Sequence, residues 1–371
     1  MRILHLADLH IGKKVYGYSM LEEQKHILLD EVLEVIDNWH IETILIAGDI
    51  YDASVPSGQA VTLLDSFLTR LSEKEVKTYI IPGNHDSAER ISFASDILKK
   101  NNIYVAKPLN YEVDNAMLEK CVDEDIYGKI NIYLMPYISC ENVKDIIDNT
   151  QIDTSERNIL TAHQFVTSVG NENELSASET KNVGGLDDID VSVFDDFDYV
   201  ALGHLHAPQR VGRDTVRYAG SILKYSFSET DQKKSFTIVD IGEKGDITIN
   251  KIPIIPINDM RKIRGPINML LDKDVYMEGN TEDYIQVTLT DEDEVFDAVR
   301  RLKMVYKNML KLDFDNSRVR ALNEVETIEN IEQKSDIELF CEFYKNRTDT
   351  ELSEAEFDIM KKVMDINRQV I

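Results

Sequence analysis

The chain has 371 residues, 43% of them hydrophobic and 29% charged, which is enough for one large core and a second, smaller one. Its 41 basic and 68 acidic residues give a formal net charge of −27, the wrong sign for an isolated chain that holds nucleic acid by bulk electrostatics. No apolar run approaches membrane-spanning length, and Cys121, Cys140 and Cys341 are too widely spaced for a disulfide framework or a zinc motif. The N-terminus enters a strand with no signal-peptide pattern, so a cytoplasmic setting is expected.

The first predicted strand, Ile3-Leu4-His5-Leu6-Ala7, ends at once in Asp8-Leu9-His10. A polar loop with Lys13 and Lys14 leads to an amphipathic helix from Met20 to Trp39, with Leu21, Leu28, Val32, Val35 and Ile36 at helical spacing. The strand Thr43 to Ala47 delivers Gly48-Asp49. A helix from Ser57 to Glu73 follows, then the strand Val76 to Ile81, which delivers Gly83-Asn84-His85-Asp86, and a third helix over Ala88 to Lys100. This alternation predicts a parallel sheet with ligands at the carboxyl ends of its strands.

Between Tyr104 and Pro136 the pattern gives short antiparallel strands at Tyr111-Glu112-Val113, Asp125-Ile126-Tyr127 and Ile130 to Leu134. The strand Asn158 to Ala162 delivers His163, and Tyr199 to Leu202 delivers Gly203-His204-Leu205-His206. The polar segment from Val166 to Gly185 between them reads as a surface loop or a lid. Strands at Arg217 to Ala219, Ser235 to Ile241 and Asp246 to Ile254 are expected to continue the sheet antiparallel. Pro253 and Pro256 mark a domain boundary. Beyond it a small α+β unit is predicted from strands at Ile267 to Leu271, Tyr284 to Thr290 and Met309 to Phe314 and a helix at Val295 to Lys307. An acidic linker and two amphipathic helices, Ser335 to Asn346 and Ser353 to Arg368, close the chain; Ser353 and Glu356 fit a capping box. The resulting division is 1–256, 257–322, 323–334 and 335–371. Leu339, Phe340, Phe343, Tyr344, Phe357, Met360, Val363 and Met364 form apolar faces too large for the terminal hairpin to bury alone, which suits docking on a partner helix.

Five of the eight histidines thus sit at strand ends, beside carboxylates and one amide. A donor set without thiolate favours manganese or iron over structural zinc. It divides into two sites: Asp8, His10 and His206 with Asp49, and Asn84, His163 and His204 with Asp49, whose two carboxylate oxygens can bridge. Two divalent ions about 3.5–4 Å apart suit hydrolysis of a phosphate ester. His85, beside a ligand, is placed to donate a proton to the leaving alkoxide, with Asp86 expected to hold its tautomer.

These motifs, Asp8-x-His10, Gly48-Asp49, Gly83-Asn84-His85-Asp86, His163 and Gly203-His204-x-His206, resemble those of the calcineurin-like metallophosphoesterase superfamily. Gly48-Asp49-Ile50-Tyr51-Asp52, the run Phe194 to His204, and Tyr218-Ala219-Gly220-Ser221 through Glu229 are similar to the SbcD family of bacterial nuclease subunits. The resemblance implies an α/β phosphoesterase fold of layered mixed sheets flanked by helices, with a small α+β cap and C-terminal helices that bind an SbcC-type ATPase. It further implies a manganese-dependent nuclease of DNA repair and recombination, exonucleolytic on double-strand ends and endonucleolytic on single-strand or hairpin DNA, and a homodimer. Archaeal relatives carry a second histidine where this chain has Asp52, so that histidine's role does not carry over. Leu64, Phe67 and Leu68 on one helix and Phe93 and Ile97 on the next are the expected dimer surface. Lys13, Lys14, Arg90, Arg210, Arg213 and Lys224 are the candidate DNA contacts. Two other readings stay open: a phosphodiesterase for small molecules or phosphoproteins, and a subunit that mainly scaffolds an ATPase.

Overall fold

Runs of aliphatic and β-branched residues, apolar at every position, mark strands covered on both faces, and here they build two six-stranded sheets. The computed structural model describes residues 1–109, 115–168, 174–176 and 188–320, with Tyr344 and Phe357 besides. The first sheet has the order Ile247–Pro253, Ser235–Ile241, Arg2–Leu6, Thr43–Ala47, Lys77–Ile81, Ile103–Val105. Its last four strands are parallel, and Ser235–Ile241 runs antiparallel along Arg2–Leu6. The second has the order Arg210–Val211, Arg213–Tyr218, Tyr199–Gly203, Arg157–His163, Gly128–Met135, Glu119–Asp125.

The inner faces interlock. Ile3, Leu45, Tyr79 and Ile81 of the first sheet share one buried cluster with Ile132, Leu134, Ile159 and Ala201 of the second. Helices Val32–Trp39 and Gly58–Glu73 cover the outer face of the first sheet, and Cys140–Asn149 covers that of the second. The result is a four-layer α/β/β/α stack. Gly203 fixes how closely the sheets meet: a Cβ there would lie 1.8 Å from the Ala47 carbonyl oxygen.

A separate core, built from Ile285, Val287, Leu289, Leu302 and Tyr306, holds the parallel strands Met260–Gly265, Tyr284–Leu289 and Met309–Phe314 together. This unit docks on the first through Glu23, whose carboxylate accepts from the backbone N–H groups of Ile257 and Asn258 and from the Tyr284 hydroxyl.

Several expectations need correction. The division of the strands between two layered mixed sheets is as expected, but not every strand pairs as expected. Arg213–Tyr218 extends the second sheet parallel to Tyr199–Gly203, while Ser235–Ile241 and Ile247–Pro253 join the first. Asp125-Ile126-Tyr127 is the end of a strand and the turn of a hairpin, and Tyr111-Glu112-Val113 lies outside the described residues. The helix over Ala88 to Lys100 is broken into Ala88–Ile91, Ser95–Leu98 and a 3-10 turn, because Ala94 takes a left-handed conformation (φ 60°). Ile267–Leu270 is helical rather than extended, since Pro266 starts a helix there; the strand is the more polar Met260–Gly265.

The dimer surface is corrected too. Phe67 is 0% exposed and Leu64 is buried, and Leu68 packs partly against the same core, because this helix must cover the first sheet. Phe93 (79%) and Ile97 (65%) are exposed. Of the polar segment after Val166, most lies outside the described residues, though Val166–Thr167 pairs with Ile189–Asp190. No helix among the described residues is long and apolar enough to cross a membrane.

Candidate metal centre

Parallel strands aim their carboxyl ends at one edge of each sheet, and the two edges face each other. Arg2–Leu6, Thr43–Ala47 and Lys77–Ile81 lead to Asp8 and His10, to Asp49 and to Asn84; Arg157–His163 and Tyr199–Gly203 lead to His163, His204 and His206. The first two loops are stitched along their backbones: Asp8 N–H donates to Gly48 O (3.1 Å), His10 N–H to Asp49 O (2.9 Å) and Ile11 N–H to Ile50 O (2.9 Å). Asp8 (φ 51°), His10 (44°), Asp49 (49°) and His204 (110°) all have positive φ. Such backbone costs a non-glycine residue roughly 1–2 kcal/mol. Its concentration in four neighbouring residues marks a site whose side-chain geometry is imposed by the fold.

The side chains form two groups that share Asp49. His10 Nε2 lies 3.1 Å from His206 Nε2 and 3.5 Å from Asp49 Oδ2, with ligating atoms of Asp8, His10 and His206 within 4.8 Å of one another. On the other side, Asn84 Oδ1 lies 2.9 Å from His163 Nε2 and 3.2 Å from His204 Nδ1, and Asp49 Oδ1 lies 3.5 Å from His163 Nε2. Each Asp49 oxygen therefore faces a different group.

Proton positions favour a cation. The Ala47 carbonyl accepts from His163 Nδ1 at 2.9 Å, which leaves the Nε2 lone pair facing Asn84 and Asp49. The Glu229 carboxylate, 3.3 Å from His206 Nδ1, likewise turns the His206 lone pair toward His10. Burial lowers the His163 pKa, and burial followed by the neighbouring His163 brings His204 down to about 3; burial followed by His206 holds His10 well below the usual range. Imidazoles, carboxylates and an amide oxygen thus converge on one buried cradle, a donor set that suits divalent cations.

His85 is held differently from the expectation. Its backbone N–H donates to Asp49 Oδ1 (2.9 Å), and its Nδ1 donates to the Asp52 carbonyl (3.1 Å). The ring stands edge-on to His10 with centroids 4.9 Å apart, its side chain is 30% exposed, and Nε2 lies 4.0 Å from Asp49 Oδ2. Asp86 does not orient this ring. Its carboxylate turns back on the main chain and accepts from the N–H groups of Gly83 (2.9 Å), Ile50 (3.0 Å) and Tyr51 (2.9 Å), as a short acidic side chain does in a turn. Asp86 thus ties the Asn84 loop to the Asp49 loop.

Residues outside the strand-end motifs complete the support. Gln24 Nε2 donates to the His10 carbonyl (2.7 Å) and to Leu9 (3.2 Å), while its Oε1 accepts from Gly12 N–H (2.9 Å); the Tyr225 hydroxyl also donates to Leu9. A π-turn at Ile27–Glu31 rephases this helix and leaves Glu23 and Gln24 buried. Lys234, also buried, donates to Glu229 (2.7 Å) and to the His206 carbonyl (2.8 Å). The sequence signal for Gln24 was a polar residue within an apolar helical stripe, and for Glu229 its place at the end of the run that begins at Tyr218.

The candidate DNA contacts are mostly engaged within the chain. Lys13 meets Asp52 (2.6 Å), Arg210 meets Asp214 (3.1 Å), Arg213 meets Asp195 (3.2 Å), Lys224 meets Asp259 (2.9 Å), and Arg90 donates to the Ser54 carbonyl; Lys14 is exposed. Only Lys13 among these touches residues of the centre. Of the residues expected to bind the ATPase, Tyr344 is half-buried and Phe357 exposed, while Leu339, Phe340, Phe343, Met360, Val363 and Met364 lie outside the described residues.

Residues 1–208, more than half of the chain, match the family described as Calcineurin-like phosphoesterase, and the chain belongs to that family of metal-dependent phosphoester hydrolases. Residues 256–348 match a second family, described as Type 5 capsule protein repressor C-terminal domain. The chain is 28% identical over 383 residues to the SbcD component of the SbcCD nuclease of Staphylococcus epidermidis (strain ATCC 12228 / FDA PCI 1200), an alignment that takes in 98% of each protein.

Proposed function

We propose that this chain is a two-metal DNA nuclease that works with an SbcC-type ATPase in DNA repair and recombination. The observation that carries this reading is a cradle split by Asp49, with His85 standing at its open edge. The full-length similarity to a component of a nuclease supports it. A pair of divalent ions, manganese by the donor set, would supply phosphoryl polarisation and an acidified water. Asp8, His10 and His206 would hold one ion, Asn84, His163 and His204 the other, and Asp49 both. His85 Nε2 donates the proton that the leaving 3′ or 5′ oxygen takes up, while the Asp52 carbonyl keeps the other ring proton on Nδ1. Substrates are double-strand ends for exonucleolytic cutting and single-strand or hairpin DNA for endonucleolytic cutting.

In the same reading, residues 1–256 form the nuclease domain and 257–322 a cap over it. Beyond the 323–334 linker, the hairpin 335–371 docks on the ATPase. Exposed Phe93 and Ile97 favour self-association through that short helical segment. The setting is cytoplasmic.

The test is cleavage of labelled duplex and hairpin DNA with Mn2+ by the wild type and by His85→Ala, with bound metal measured in both. A loss of about 10²–10⁴-fold in the variant, with two ions retained, is the expected result. Turnover of a small phosphodiester by a metal-loaded chain that leaves DNA intact, alone and with its ATPase, would overturn the reading.

A further inference from the structure

Asp52 lies three residues beyond the shared Asp49, in a loop that faces both His10 and His85. The His10 side chain is buried, with only 1% of the residue exposed, and its Nδ1 has no hydrogen-bond partner. Its Nε2 points at Asp49 and His206. A cation held by Nε2 leaves the ring proton on Nδ1, and a buried N–H without an acceptor is unfavourable by about 1–3 kcal/mol. Metal-binding histidines normally give that proton to a carboxylate or a carbonyl, which fixes the tautomer and the ring plane. The acid facing Nδ1 is Asp52, whose Oδ1 is 3.6 Å away, roughly half an ångström beyond hydrogen-bond reach.

Two further contacts converge on the same residue. The Lys13 ammonium sits 2.6 Å from Asp52 Oδ1, and the Asp52 carbonyl takes the Nδ1 proton of His85. Ligating atoms of His10, Asp52 and His85 lie within 4.8 Å, close enough for a third cation. Lys13 already supplies positive charge there, and His85 Nδ1 is committed to the carbonyl, so the cluster reads as a brace.

We infer that Asp52 is a positioning residue that orients both His10 and His85: its carboxylate closes on His10 Nδ1 once Nε2 holds a divalent ion, and Lys13 sets how closely it approaches. The inference rests on the two-ion reading above and deepens it.

Mn2+ uptake by the full chain, followed through loss of the free-ion signal in electron paramagnetic resonance, tests this without DNA. Asp52→Ala is expected to weaken uptake about 10–100-fold. Asp52→Asn keeps an acceptor oxygen without the charge and is expected to weaken it about fivefold. Lys13→Met frees the carboxylate and is expected to leave uptake unchanged or tighter. A merely structural Lys13–Asp52 ion pair predicts that Lys13→Met weakens uptake as much as Asp52→Ala, and that result overturns the inference. Wild-type uptake matched within twofold by Asp52→Asn and by every folded Asp52→Ala preparation overturns it too. A wild type that binds no Mn2+ overturns the two-ion reading itself, and the inference with it.

Discussion

Replacing Asp86 with alanine separates two roles for the residue next to His85, the proposed proton donor. The carboxylate accepts three backbone N–H groups, from Gly83, Ile50 and Tyr51, at 2.9–3.0 Å. Hydrogen bonds to a charged acceptor are worth about 1.5–3 kcal/mol each, and three on one side chain are not additive, so their joint loss is on the order of 5–6 kcal/mol. Against this, burial and then the facing Asp49 carboxylate push the Asp86 pKa up to about 6, so part of that gain is given back. The net expectation for Asp86→Ala is a destabilisation of about 2–4 kcal/mol, seen as a fall of roughly 4–8 °C in melting midpoint in EDTA. Mn2+ uptake should weaken as well, since Asp49 is carried by the loop that comes loose. The assay is a pair of melts, in EDTA and in Mn2+, beside a metal titration. A variant that melts with the wild type and binds Mn2+ normally, yet turns over as slowly as His85→Ala, would refute this account and return Asp86 to orienting the ring.

Two further outcomes follow from the packing and the buried imidazoles. Gly203→Ala puts a Cβ 1.8 Å from the Ala47 carbonyl oxygen and 2.8 Å from His163 Nδ1, backbone and a ligand that cannot both yield; a loss of roughly 3 kcal/mol or more and of Mn2+ uptake is expected, and an unchanged melt with full uptake would contradict it. Stability in EDTA should fall as the pH drops below about 6.5. His5 and His204, each held near 3, stay neutral when folded, and burial lowers His10 and His163 as well, whereas the unfolded chain takes up protons there. His5 and His204 each contribute on the order of 1 kcal/mol of loss between pH 6.5 and 5.5, and the lowered His10 and His163 act in the same direction. Asp86, raised rather than lowered, works in the opposite sense but is a single group. A melting midpoint that stays flat or rises over that interval would sink the argument.

What could be read from the sequence was local. An apolar run ending in Asp, Asn or His identifies a strand and the chemistry at its end together, so the strand ends carrying Asp8, Asp49, Asn84, His163 and His204 followed from short stretches of chain. Sheet membership is decided by pairing between distant segments, and nothing in Arg213–Tyr218 says that it will lie parallel to Tyr199–Gly203 rather than extend the first sheet. The apolar Ile267 to Leu271 read as a strand until Pro266 started a helix, while the true strand Met260-Arg261-Lys262-Ile263-Arg264-Gly265 is too polar to announce itself. Phe67 and Leu64 looked surplus on a helix counted alone, because the breadth of the sheet beneath them is not written in that helix. Asp86 carried no signal for its three backbone partners, since an acidic side chain beside a histidine suits either role equally well.

The two groups of ligands lie far apart along the chain, and the strand nearest the first is nearly the last of its sheet to be made. Arg2–Leu6 is flanked by Ser235–Ile241, and His206 is braced by Glu229 and Lys234. A nascent chain therefore leaves the ribosome with Asp8, His10 and Asp49 long before their counterparts exist. The centre lacks its last member until His206 has been made, and the brace on that ring until Lys234 has been made. Translation products that end before His204 lack one member of each group, so such unfinished copies hold no complete centre.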